Sequence, residues 1–164
     1  YIYLGKFKDE IGSIELGKDI YQKLEKKIGS MCNNRFKYIK DTVYAYNFMN
    51  LYVTNGGEKK CISQVPIFTE LTSQFCFMAY EEIEVNIAKF PFLDKYHDIK
   101  SRIIKQFTFD YFGNKDKIIV SFTEEKYDPK QESIYILQIE FNNANLHIRE
   151  RVGQLIKLIE EEIS

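Results

Sequence analysis

The chain has 164 residues with a formal net charge of −1, and 45% of them are hydrophobic and 29% charged. That length suits one hydrophobic core, that composition excludes a disordered chain, and near-neutrality excludes a global positive field for recruiting nucleic acid. The 12 tyrosines and 13 phenylalanines, with no tryptophan, favour strands. The three cysteines show no CxxC spacing, so neither a disulfide framework nor a zinc site is indicated and a reducing compartment is expected. No run approaches the ~18 apolar residues of a membrane span.

Tyr1 to Phe7 alternates weakly and predicts a short strand that leaves a sheet at Gly5. The chain opens inside this strand without a methionine, so residues before Tyr1 are expected. After a loop containing Gly12 and Gly17, Asp19 is placed to cap a helix in which Ile20, Leu24 and Ile28 recur four apart beside Tyr21, and Gly29 is expected to stop it. Strands are predicted over Tyr38 to Lys40 and Thr42 to Thr54. The Asn55-Gly56-Gly57 turn leads back into Lys60 to Ile67, with Pro66 near a strand end. Gln74 to Tyr80 and Glu82 to Lys89 supply two more, the second ended by Pro91. Ile99 to Phe112, a turn at Gly113-Asn114, Lys117 to Thr123, a loop through Asp128-Pro129 and Ile134 to Phe141 follow. From Leu146 to Ile163 the stripe Ile148, Val152, Leu155, Ile156, Ile159 and Ile163 predicts a closing helix, with Asn145 as its cap.

This order predicts an α+β fold. Residues 1–164 are read as one domain: an antiparallel β-barrel of about eight strands, tunnel-like, with flanking helices that include a C-terminal one. Closure removes unpaired strand edges. Residues two apart share a strand face. One face of Ile134 to Phe141 carries Tyr135, Leu137, Ile139 and Phe141 and must meet the helices, while the other carries Ile134, Ile136, Gln138 and Glu140. In Ile99 to Phe112, Ile103, Lys105, Phe107, Phe109 and Tyr111 oppose Lys100, Arg102, Gln106, Thr108 and Asp110. A solvated sheet face accounts for such polarity, and so does a hollow interior wide enough for water and a polyanion.

The block Lys100-x-Arg102, then Val120-Ser-Phe-Thr123, then Tyr135-x-Leu-x-Ile-Glu140 before a helix resembles the end of the fungal and viral metal-dependent RNA 5′-triphosphatases, of the CYTH or triphosphate-tunnel group. Leu4-Gly5-Lys6 is similar to the end of that family's first strand, and the helix after Asp19 falls where the family has one. The resemblance implies a tunnel in which inward glutamates hold Mg²⁺ or Mn²⁺ while Lys100 and Arg102 hold phosphate. It matches Glu140 to one metal-binding glutamate. The family's other two glutamates of that strand are here Ile136 and Gln138, its aspartate is Ser121, and Tyr1 falls where a first-strand glutamate stands. Glu82 and Glu84 form an alternative metal-binding pair with Glu140 across the barrel, against the simpler reading of a solvated strand face.

What the resemblance implies is therefore a tunnel domain associated with mRNA capping or transcription that has lost metal catalysis and acts as a binding or scaffold module, a pseudoenzyme of viral or eukaryotic type. No cofactor is then expected. Its partners would be capping or transcription proteins, with the RNA 5′ end as a further ligand, and its place intracellular, in the nucleus or at a viral or cytoplasmic transcription site. An active Mg²⁺- or Mn²⁺-dependent 5′-triphosphatase is the alternative, and an unrelated α+β protein-interaction domain is the third reading.

Overall fold

The computed structural model describes residues 2–4, 6–8, 13–46, 49–71, 75–85, 98–111, 116–127, 132–141 and 146–163. In chain order these form β1 (Ile2–Leu4), β2 (Lys6–Lys8), β3 (Ser13–Glu15), α1 (Lys18–Met31), β4 (Lys37–Tyr46), β5 (Met49–Thr54), β6 (Lys59–Leu71), β7 (Phe75–Val85), β8 (Asp98–Tyr111), β9 (Asp116–Tyr127), β10 (Ser133–Phe141) and α2 (Leu146–Ile163). The main sheet is antiparallel and runs β1-β10-β9-β8-β4-β5-β6-β7. The short β1 pairs with β10 through Ile2, Tyr3 and Leu4 and with β7 through the same residues, so the hydrogen-bonded ladder returns to its start through that strand. β2 and β3 make a separate two-stranded sheet, whereas the sequence reading placed Lys6 and Phe7 at the end of its first strand and β3 in a loop. Leu16, just beyond β3, donates its backbone N–H to the Tyr135 carbonyl at 2.8 Å.

One face of β8, β9 and β10 is apolar and is covered by the helices. Phe107, Phe109, Ile118, Val120, Phe122, Leu137 and Ile139 pack there with Tyr21, Leu24 and Ile28 of α1 and with Ile148, Val152, Leu155 and Ile159 of α2. Phe122 is wholly buried at its centre, edge-on to Tyr21 at 5.4 Å and to Phe107 at 5.8 Å between ring centroids. Such edge-to-face pairs add to the burial itself. The period-four stripe of α1 and the closing-helix stripe thus occupy the faces their spacing requires.

Several element boundaries differ from the sequence expectation. α1 begins at Lys18 after Gly17, so Asp19 lies in its first turn rather than capping it. Gly29 does not stop this helix, which continues to Met31. A Cβ on Gly29 would come 3.4 Å from the Phe107 ring, so glycine there serves close packing against β8. Gln74 to Tyr80 and Glu82 to Lys89 contribute to one continuous strand, β7, whereas Thr42 to Thr54 is divided between β4 and β5. Pro66 lies within β6 at a register shift between Pro66 and Phe68, where a bulge relieves the missing donor. The Asn55-Gly56-Gly57 turn forms as read: Gly57 has φ +83°, and its N–H donates to the Thr54 carbonyl at 2.9 Å. Asn145, Pro91, Gly113-Asn114 and Asp128-Pro129 lie outside the described residues.

Candidate functional site

The face of the sheet opposite the helices carries the polar residues, arranged in levels fixed by strand register. At one level Asp41 of β4 is paired with Arg102 of β8, and Arg102 with Glu125 of β9. Arg102 donates from Nε to Asp41 Oδ1 at 2.8 Å and from Nη2 to Asp41 Oδ2 at 2.7 Å, a two-pronged bond that matches the planar guanidinium to the carboxylate. Tyr52 of β5 adds its ring, 5.0 Å from the guanidinium carbon. Lys100 pairs with Glu125 at 3.1 Å and lies over the Tyr127 ring. Both carboxylates are buried, Asp41 to 6% and Glu125 to 5% exposure.

Burial alone would push the Arg102 guanidinium down. The hydrogen bonds and charge of Asp41, with Tyr52 and Glu125 behind them, more than offset this and hold its affinity for the proton above the ordinary value. Two half-buried cations are thereby matched by two buried carboxylates, which is the condition for keeping the carboxylate charges out of water. A cavity of about 270 Å³ reaches Asp41 and Arg102, but most of its lining, Lys40, Thr42, Ser101, Ile103, Glu124 and Lys126, alternates onto the other face of the sheet.

The next level is apolar. Ile39, Ile104, Thr123 and Ile136 are successive cross-strand partners, with Ile104 and Thr123 buried. Beyond it Lys37, Gln106, Ser121, Gln138 and Tyr3 are aligned, and beyond these Thr108, Ile119 and Glu140. Glu140 thus aligns with Thr108, six residues along β8 from Arg102, or about 20 Å at a rise of about 3.3 Å per residue. The structure brings Lys100 and Arg102 together but does not bring Glu140 to them.

Glu82 and Glu84 pair in register with Gln64 and Ile62. Ile2 faces both Ile139 and Phe77, which sets Glu140 level with Met78. From there Glu82 and Glu84 are four and six residues along β7, about 13 and 20 Å away by the same rise. Glu84 is exposed, and the Glu82 side chain lies outside the described residues. Among the described residues no group of three or more histidine, cysteine or acidic side chains comes together to hold a metal ion. Among the described residues, the donors on this face do not gather the several oxygen ligands that a hard divalent cation takes at one point.

Asp41 and Glu125 are the partners of Arg102 and Lys100 that sequence reasoning missed. Asp41 fell between two predicted strands and Glu125 beyond the end of a third, because a charge inside an alternating run reads as a break. Their signal was their cross-strand position relative to Arg102, which a single chain reading does not contain. Cys32 and Cys61 are free thiols pushed up by burial, and nothing in their surroundings activates them. No helix among the described residues is long and apolar enough to cross a membrane.

No protein-family model matches the chain, and no curated protein matches it. Solved structures do. The chain is similar to the S. pombe Pct1 RNA triphosphatase in complex with the Spt5 CTD, with a TM-score of 0.68 and 9% identity over 98% of this chain and 83% of that one. It is also similar to the S. pombe Pct1 RNA triphosphatase without that partner, with a TM-score of 0.66 and 10% identity over 98% of this chain and 82% of the other. At such identity the likeness is one of fold alone: the chain shares the fold of the S. pombe Pct1 RNA triphosphatase.

Proposed function

We propose that residues 1–164 form one triphosphate-tunnel domain, an eight-stranded barrel of the RNA 5′-triphosphatase type, that has lost metal catalysis and serves as a binding or scaffold module. Its setting is mRNA capping or transcription, within the nucleus or at a viral or cytoplasmic site of transcription. Its partners are capping or transcription proteins, with RNA 5′ ends as a further ligand. One observation carries this reading: the two cations that the resemblance assigns to phosphate are held by Asp41 and Glu125 of the same chain.

A triphosphate entering that level would have to displace two buried carboxylates and leave them unpaired, which costs several kcal/mol each by the asymmetry of broken buried pairs. It would then lie two levels short of Glu140, beyond the apolar layer and the level of Gln106 and Gln138, so positioning and metal stabilisation, the two sources of phosphoryl-transfer catalysis, have no common point. Gln138, Ile136 and Ser121, standing where the family has acids, agree with this loss. The S. pombe structure with the Spt5 CTD supports the docking of a protein segment on this fold.

The test is phosphate release from triphosphate-ended RNA by the purified chain with Mg²⁺, with Mn²⁺ and with neither. No turnover above the protein-free blank is expected. Metal-dependent turnover abolished by Glu140→Ala, in a variant that still folds, would establish the active enzyme instead.

A further inference from the structure

We propose that the cleft between the end of α1 and β8 is a docking site for an acidic peptide segment of a partner protein, which inserts an apolar side chain against Phe36 and Phe107. The inference goes beyond the tunnel reading and does not depend on it, since the cleft lies on the helix-covered face. A cavity of about 410 Å³ opens there, walled by Phe36 and Phe107, floored by Gly29 and rimmed by Gln22, Lys26 and Asn34. Phe36, which lines the cleft, is 46% exposed, and Met31 and Tyr38, within five residues of it in the chain, are the other exposed large hydrophobic residues among those described, at 52% and 54%. Scattered exposed apolar residues need no explanation, but a cluster beside a cavity does.

The cleft is preformed. Asn33 and Asn34 take left-handed backbone conformations, at φ +54° and +57°, and the Asn34 N–H donates to the Gly29 carbonyl at 2.7 Å, which closes α1 with a defined turn. Gly29 lets the Phe107 ring approach the helix, and Phe36 packs against Phe107 at 5.7 Å between centroids. A rigid aromatic wall reduces the ordering cost of binding.

Charge selects the occupant. Glu25, the acid of the rim, is already paired with Lys105 at 2.5 Å, whereas Lys26 and Arg35 are exposed and make no ion pair among the described residues. The uncompensated charge is positive, so the partner carries acids. An RNA base is disfavoured because the Lys105 ammonium already lies over the Phe36 ring, 5.4 Å from its centroid, and competes for the π-face that stacking needs. The exposed part of the Phe36 side chain is apolar surface, the kind that a peptide anchor covers.

The experiment selects random dodecapeptides displayed on phage against the intact chain, then measures the enriched peptides by fluorescence anisotropy. Expected are acidic sequences with one aromatic or leucine anchor, whose affinity falls at least about tenfold in Phe36→Ala and in Lys26→Glu, both surface changes. Failure to enrich, enrichment of basic or uncharged peptides, or an affinity in either variant equal to that of the unaltered chain would overturn the proposal. So would competition at these residues by a single-stranded RNA that binds more tightly than the peptides.

Discussion

Removing the Asp41 carboxylate isolates the contribution of the inner ion pairs. Truncating one partner of a buried pair costs roughly 3–5 kcal/mol, because the other charge is left without compensation. Arg102 retains Glu125 as a neighbouring acid and its side chain keeps 19% exposure, which places Asp41→Ala at the lower end, at about 3 kcal/mol. For a chain of this length the thermal midpoint should fall by roughly 6–12 °C, at roughly 2–4 °C per kcal/mol. Circular dichroism melts and urea titrations read both numbers. The companion variants are Asp41→Leu, Arg102→Met and the double variant Asp41→Leu/Arg102→Met, which close a cycle and in the last of which an apolar pair replaces the ionic one and most of the lost stability should return. A fall of less than about 2 °C for Asp41→Ala, or a coupling energy in the cycle below about 0.5 kcal/mol, would refute the reasoning, since neither fits a desolvated pair.

Phe122→Ala, at the wholly buried junction of sheet and α1, should cost about 3–5 kcal/mol in a urea titration. Tyr21 has its phenol raised well above the ordinary value by burial first and then by Glu25, Glu124 and Tyr135. The folded chain therefore keeps a proton that the unfolded chain releases, so stability should decline as pH rises through the ordinary tyrosine value of about 10, and Tyr21→Phe should reduce that decline. The Glu162 carboxyl is held below the usual range chiefly by its hydrogen bond from Lys27. Its NMR titration midpoint should move up in Lys27→Gln, with little change in the melting temperature, as for most surface pairs.

The sequence made legible whatever depends on local periodicity. Leu137 and Ile139 against Gln138 and Glu140, or Phe107 and Phe109 against Gln106 and Thr108, separate by alternation alone, and the helix stripes at Leu24 and Ile28 or Val152 and Ile159 do the same at a period near four. The pairing of Lys100 and Arg102 on one face was equally open to view. What was not legible was which residues stand beside them. Asp41 meets Arg102 across 61 positions of chain, and only the β4–β8 register brings the two together. The same limit applies to levels: Glu140 and Arg102 share a face, yet the register separates them by an apolar layer that begins with Ile39 and ends with Ile136. Gly29 misled for a related reason, since a glycine that admits a ring from β8 looks in one dimension like a glycine that ends a helix.

The central claim is that the inner cations are already satisfied within the chain. It is tested most directly by calorimetric titration of inorganic tripolyphosphate into the intact chain at low salt, where screening is weakest. The expected result is no saturable heat, with binding gained only when Asp41→Asn and Glu125→Gln are combined in a variant that still folds. Saturable binding to the unaltered chain, lost in Lys100→Gln and in Arg102→Gln, would contradict the claim.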